Sequence, residues 1–63
     1  MKYKEGDRVM ISHSVAGSQL WGQLGTVRGF FCNDKNEPLE NMVILDGSGH
    51  LVIFIDELLH PVK

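Results

Sequence analysis

Turn-forming residues interrupt this sequence at short intervals, and no apolar run between them is long enough to develop a helical period. Residues 7–12 alternate between two faces, with Val9 and Ile11 on the apolar one, as in a half-buried strand. Further apolar runs of strand length follow at 24–32, 41–45 and 50–55. The pattern therefore predicts an all-β domain.

Glycines and polar clusters separate these runs. The loop 13–22 is long for a small domain, and long loops in compact domains are often functional. The run DGSG at 46–49 is typical of a tight hairpin. Gly25 and Gly29 lie inside the second strand, where glycine marks a bend or a close backbone approach. We expect both glycines to be needed for a strongly curved strand.

The end of the chain predicts one helical turn and a closing strand. Residues 56–59 form the expected turn, with Asp56 as its N-cap. Residues 60–62 form the fifth strand, where Pro61 fits an edge position. Five short strands with a 3₁₀-like turn before the last predict a small barrel, whose closure removes the edges of an open sheet. The expected core is apolar: Val9, Ile11, Leu24, Val27, Val43, Leu45, Val52, Phe54 and Leu58.

Length and composition limit the chain to a single small domain, residues 1–63. Hydrophobic residues make up 43% of it, which excludes a composition-driven disordered segment. The single cysteine, Cys32, excludes an internal disulfide and favours a reducing compartment. The sequence shows neither an apolar run of the ~20 residues that span a bilayer nor the apolar stretch of a signal peptide. We therefore expect a cytoplasmic protein without a membrane partner.

The sequence carries no familiar catalytic or metal-binding motif. It lacks Gly-x-Ser-x-Gly, a phosphate-binding loop and His-Glu-x-x-His. Cys32 and a histidine would in principle make a thiol–imidazole pair, but a cysteine without a catalytic role is favoured. The three histidines and Cys32 also lack the close pairing of structural zinc ligands. We expect no enzymatic activity, no metal and no cofactor.

Trp21, next to Leu20 in the long loop, has two interpretations. An exposed tryptophan is a natural anchor for a partner, because tryptophan is enriched among the residues that dominate interface energies. Alternatively, the indole folds back and caps one end of the barrel. The loop 13–22 contains no Asp, Glu, Lys or Arg, so it can be desolvated at little electrostatic cost.

Two apolar runs carry more hydrophobic side chains than one buried face needs. Phe30 and Phe31 are adjacent, so on a strand one faces the core and the other does not. The run LVIFI at 51–55 poses the same question, because one of its two faces is surplus to the core. An apolar outer face marks a site for a partner or for self-association, whereas a bent strand covered on both sides is the alternative.

Charge argues against a purely electrostatic nucleic-acid binder. Six lysines and arginines face eight aspartates and glutamates, a formal net charge of −2, whereas such binders normally carry a basic surplus. Arg8, Arg28, Lys2 and Lys4 are the candidates for a local basic patch. A merely solvated surface is the competing interpretation of these four residues.

Four segments together resemble the signature of KOW-type and related SH3-like small barrels: GDRVMI at 6–11, GQLGTV at 22–27, VILDG at 43–47 and DELLHPV at 56–62. The layout is similar to that of photosystem I reaction-centre subunit IV and of ribosomal and transcription-factor KOW domains. The resemblance implies a five-stranded SH3-like barrel that binds a partner. It leaves the ligand open, because this barrel hosts many unrelated roles. KOW domains that bind RNA tend to carry basic residues around the first loop, which here has none.

These features predict a non-enzymatic protein–protein interaction module, an accessory subunit or small regulator or inhibitor that docks on a larger protein. The alternative is a KOW-type module that binds RNA or DNA, and self-association is left open. A chain that runs from Met1 to just past the last expected strand favours a stand-alone small protein of bacterial or phage type. The partner surface is expected on the first loop and the adjoining outer sheet, at these residues: Trp21, Leu20, Arg28, Phe30 and Arg8.

Overall fold

The computed structural model describes residues 2–12 and 19–62, and most of the long first loop lies outside these ranges. The described chain is all-β, with a 3₁₀ turn before the last strand, as the sequence predicts. The elements are β1 (Arg8–Ile11), β2 (Leu24–Cys32), β3 (Pro38–Leu45), β4 (Leu51–Phe54), the 3₁₀ turn (Asp56–Leu58) and β5 (Leu59–Pro61).

The five strands form one antiparallel sheet in the order β4-β3-β2-β1-β5. Within the described residues β4 and β5 make no pairing with each other, so the sheet is not closed into a barrel by hydrogen bonds. These two strands have only four and three residues, which leaves few backbone groups for a further ladder. The sheet therefore keeps two edges, and Pro61 lies on one of them, as its missing N–H predicts.

β2 is the long central strand, and a bulge and a close contact shape it. Its register with β3 shifts between Val27 and Gly29, which leaves Arg28 without an opposite residue. Such a bulge bends the strand and increases its twist. At Gly25 an added Cβ would lie 2.6 Å from Val43 Cγ1 and 2.7 Å from a backbone oxygen of β3. The two strands approach so closely at Gly25 that only glycine fits there.

The core lies on one face of the sheet. Seven side chains are buried in it: Tyr3, Val9, Ile11, Val27, Val43, Leu45 and Leu59. Val52 and Phe54 pack partly against them. Tyr3, which the strand pattern did not include, belongs to this core. Its hydroxyl donates a hydrogen bond to the Leu59 carbonyl oxygen at 3.2 Å.

Val52 and Phe54 are only half-buried beside the core, and two further predicted core residues, Leu24 and Leu58, do not belong to it. Leu24 is 39% exposed because it lies opposite Met10 on the outer face, and Gly25 takes the inward position. Leu58 is only half-buried, because it closes the 3₁₀ turn and Leu59 begins the inward alternation of β5.

The predicted N-cap is also wrong. Ile55 occupies the N-cap position of the 3₁₀ turn, and Asp56 is its first residue. The Asp56 carboxylate instead accepts hydrogen bonds from the Asn41 side chain and from the Lys2 backbone N–H. It thereby joins the N-terminal segment, β3 and the turn, rather than capping the turn itself.

Candidate functional site

A hydrogen-bonded turn at residues 19–22 presents Trp21. The Gln23 N–H donates to the Leu20 carbonyl oxygen at 3.0 Å, and the Gly22 N–H donates to the Ile11 carbonyl oxygen at 2.9 Å. Gly22 has φ +76°, a left-handed conformation that favours glycine. Leu20 packs against the core, whereas Trp21 is 46% exposed. The turn is thus anchored on the core side and holds the indole partly in solvent.

Further apolar side chains lie at the same end of the β1–β2 pair. Leu24 is the first residue of β2 and lies opposite Met10 in β1, on the outer face of the sheet. Met10 is half-buried, and Leu24 is among the exposed large hydrophobic residues. We call Trp21, Leu24 and Met10 the Trp21 surface.

An ion pair crosses the outer face of the sheet beside this surface. The Arg8 guanidinium makes two hydrogen bonds to the Asp46 carboxylate, and its Nη1 also donates to the Thr26 hydroxyl at 2.7 Å. The hydrogen bond raises the pKa of Arg8 above its ordinary value and lowers that of Asp46. Because Arg8 lies on β1 and Asp46 follows β3, the guanidinium spans β2 at Thr26. The charge of Arg8 is therefore matched by a carboxylate on the protein itself.

A second apolar area lies on the far side of this ion pair. Val52 and Phe54 of β4 pack toward the core, whereas Leu51 and Ile53 point outward and are 52% and 38% exposed. Ile55, two residues further on, is 43% exposed. Thus β4 does have an apolar face that the core does not use.

The outer residues of β3 continue this area. Met42 lies opposite Ile53, and Ile44 lies opposite Leu51. We call the outward side chains of β3 and β4 the β4 surface: Met42, Ile44, Leu51, Ile53 and Ile55. The sequence indicated the members at 51–55 but not the two on β3. The uninterrupted apolar run MVIL at 42–45 was the available signal for them, because successive residues of a strand face opposite sides of the sheet.

The two phenylalanines separate as their adjacency predicts. Phe30 packs against the core, and Phe31 is 55% exposed. With Cys32 and Met42 they line a shallow depression of about 270 Å³ beside the end of β2.

The five residues expected to contact a partner do not gather in one patch. Leu20 and Trp21 lie at one end of β2, while Arg28 lies in the bulge, seven residues beyond Trp21. Extended chain covers about 3.3 Å per residue, so Arg28 lies on the order of 13 Å along β2 from Leu24, where the strand begins. Phe30 is partly buried, and Arg8 is held by Asp46.

In the described ranges, no group of three or more histidine, cysteine, aspartate or glutamate side chains is placed to hold a metal ion. Nor do residues 2–12 and 19–62 contain a helix long and apolar enough to cross a membrane. Comparison of the chain with known protein families, with curated proteins and with solved structures yields no significant match. The evidence for function therefore comes from the Trp21 surface and the β4 surface.

Proposed function

We propose that this chain is a non-enzymatic protein–protein interaction module, an accessory subunit or small regulator or inhibitor that docks on a larger protein through the Trp21 surface. One observation carries the proposal: a tryptophan that is 46% exposed while the turn bearing it is hydrogen-bonded to β1. A preformed turn lowers the entropy lost on binding, and indoles are prominent among interface hot spots.

We also propose that the sheet belongs with the SH3-like barrels. The strand order β4-β3-β2-β1-β5, the bulged central strand and the 3₁₀ turn before β5 support this assignment. Such a fold positions loops and sheet faces for binding, but the ligand is decided by the residues displayed on it.

Electrostatics favours a protein over a nucleic acid as the partner. Of the four basic candidates, Arg8 is paired with Asp46, and the Lys2 ammonium lies over the Tyr3 ring, 5.6 Å from its centroid. Lys4 and Arg28 are exposed. Few cations are thus available for the phosphate contacts that supply most nucleic-acid affinity.

Binding of single-stranded nucleic acid is the second candidate. The observation that favours it is an exposed Arg28 on the same strand as an exposed aromatic, Phe31, with Trp21 at the strand's other end. Proteins of this kind combine aromatic stacking on bases with cations on the backbone. Their binding weakens steeply with salt, whereas binding to an apolar protein pocket does not.

Affinity capture with matched variants tests the proposal. Wild type, Trp21→Ala and Phe31→Ala are immobilised and exposed to nuclease-treated lysate, and retained proteins are quantified by mass spectrometry. Phe31→Ala is the control because it removes another exposed aromatic from the opposite end of β2. We expect a partner retained by wild type and Phe31→Ala to bind Trp21→Ala about thirtyfold more weakly, equivalent to about 2 kcal/mol.

Thermal melting of the three proteins shows whether each variant is folded. Equal retention by folded Trp21→Ala would refute the assigned surface. Unfolding of Trp21→Ala would instead assign the indole a structural role. Capture from untreated lysate that is absent from the nuclease-treated lysate, or capture that declines steeply with salt, would favour the nucleic-acid alternative.

A further inference from the structure

We propose that β4 pairs, antiparallel and edge to edge, with β4 of a second copy of this chain. β4 is an outer strand of the sheet, and its only neighbour in the described residues is β3. Edge strands carry unpaired backbone groups that act as a template for another strand. This edge is separate from the Trp21 surface of the proposed function.

The alternation of hydrogen bonds between β3 and β4 shows which backbone N–H and C=O groups of β4 are not bonded to β3. The Leu45 N–H donates to the His50 carbonyl oxygen, and these two residues lie opposite each other in the β3–β4 register. In an antiparallel pair, hydrogen-bonded positions alternate with non-bonded ones. Val52 and Phe54 therefore bond to β3, whereas Leu51 and Ile53 direct their N–H and C=O groups away from it. The open edge has two residues ready to bond a partner strand.

Natural edge strands normally carry features that prevent such pairing, and of these β4 has only its short length of four residues. Protected edges use charged side chains, prolines or bulges. The run 51–55 is LVIFI, without a charge or a proline, and its register with β3 continues without a shift. Its outward side chains, Leu51, Ile53 and Ile55, are 52%, 38% and 43% exposed. The edge thus combines open backbone groups with an apolar face.

A second copy supplies the matching strand. With a twofold axis through Ile53, antiparallel pairing sets each Leu51 opposite the Ile55 of the other copy and joins the open groups of both strands. The backbone at Ile55 is extended, at φ −70° and ψ 162°. Its carbonyl oxygen accepts one hydrogen bond from the Leu58 N–H and has a second lone pair for the Leu51 N–H of the other copy. The outward side chains of the two copies then form one continuous apolar row, with Met42 and Ile44 of each copy beside it.

The ends of the paired strands are also compatible in charge. The same register places His50 of each copy opposite Asp56 of the other. The acidic 3₁₀ turn, which begins Asp56-Glu57, thereby faces a histidine rather than another acidic turn. A standard interface buries about 800 Å² per partner, and the described chain exposes 4284 Å² in total. The three outward side chains at 51, 53 and 55 and one short strand make a smaller contact, which predicts reversible association at the weak end of the range.

Sedimentation equilibrium over a concentration series, with a matched pair of lysine variants, tests the dimer. Ile53→Lys places a charge at the proposed axis, whereas Leu24→Lys places one on β2, at a residue of almost equal exposure, 39% against 38%. We expect wild type and Leu24→Lys to approach twice the monomer mass together, and Ile53→Lys to dimerise at least about tenfold more weakly.

Amide hydrogen exchange of the wild type, which needs no variant, identifies the mode of pairing. We expect the Leu51 and Ile53 amides to exchange rapidly in dilute protein and to become protected as concentration rises. The Val52 and Phe54 amides, bonded to β3, should be protected throughout. A wild type that remains monomeric at the highest concentration refutes the proposal, as does a dimer whose Leu51 and Ile53 amides stay unprotected. Neither result affects docking through Trp21.

Discussion

The side chain of Asn41 on β3 donates a 2.7 Å hydrogen bond to the carboxylate of Asp56 in the 3₁₀ turn. Asn41 is fully buried and also donates to the Phe54 carbonyl oxygen at 3.1 Å. The second carboxylate oxygen of Asp56 accepts from the Lys2 backbone N–H at 3.1 Å. One aspartate therefore connects the start of the chain, the middle of the sheet and the turn that precedes β5.

This arrangement predicts how stability depends on pH. The hydrogen bond from Asn41, with that from the Lys2 N–H and the Lys2 charge, lowers the pKa of Asp56 despite its desolvation. A lowered folded-state pKa stabilises the fold above the unfolded value of about 3.9, and the stabilisation is lost as pH falls through the folded value. We expect Asp56→Asn to reduce the free energy of unfolding by about 1 kcal/mol at neutral pH and by less at about pH 3.

Urea unfolding at several pH values measures this difference. Glu57→Gln is the matched control, because it removes an exposed carboxylate from the same turn. Its effect on the free energy of unfolding should stay small throughout. Wild-type and Asp56→Asn curves that run parallel from neutral to acid pH would contradict the role given to Asp56.

The two glycines of β2 should differ in their tolerance of a side chain. At Gly25 an added Cβ meets Val43 Cγ1 at 2.6 Å and a backbone oxygen at 2.7 Å, whereas at Gly29 it meets only the terminal methyl of Met42, at 3.1 Å. Backbone cannot move aside as a flexible methionine can. We expect Gly25→Ala to cost about 2–3 kcal/mol and Gly29→Ala about 1 kcal/mol or less. Equal midpoints in urea for the two variants would show that close packing at Gly25 is not the constraint.

The Arg8–Asp46 ion pair should add a small, salt-sensitive contribution to the free energy of unfolding. Both side chains are well exposed, so their attraction is screened by solvent and salt. A double-mutant cycle with Arg8→Ala and Asp46→Ala should give a small favourable coupling that fades at high ionic strength. Thr26→Val serves as a control for the third member of the cluster, since it removes the hydroxyl acceptor and leaves both charges. A coupling that is independent of salt would contradict this description.

Local pattern was sufficient to predict the order of the elements in this fold, but it was less able to predict which side chains face the core. The bounds of β2 and the edge position of Pro61 followed from apolar runs and turn residues. Gly25 rather than Leu24 faces the core, because the glycine sets the alternation at the start of β2. Leu59 rather than Leu58 faces the core, because the 3₁₀ turn ends at Leu58. Hydrophobicity alone predicts that a leucine is buried in preference to a neighbouring glycine.

The candidate surfaces depend on contacts between distant parts of the chain. The exposure of Trp21 depends on the backbone bond from Gly22 to Ile11, which no local pattern reveals. The pairing of Arg8 with Asp46 likewise requires the register of three strands. The division of the outer face into two apolar areas was therefore beyond the reach of the sequence alone.

The opposite edge of the sheet limits how far such an assembly can grow. The Val62 N–H donates to the Arg8 carbonyl oxygen and the Ser12 N–H to the Leu58 carbonyl oxygen. The backbone groups of Leu59 and Pro61 therefore point away from β1, toward the free edge of β5. Pro61 has no N–H, and the Leu59 N–H already donates to the Asp56 carbonyl oxygen. In the described residues, the β5 edge therefore offers a further strand no free backbone N–H. If the proposed β4 pairing occurs, we expect it to stop at two copies rather than to extend the sheet into a ribbon.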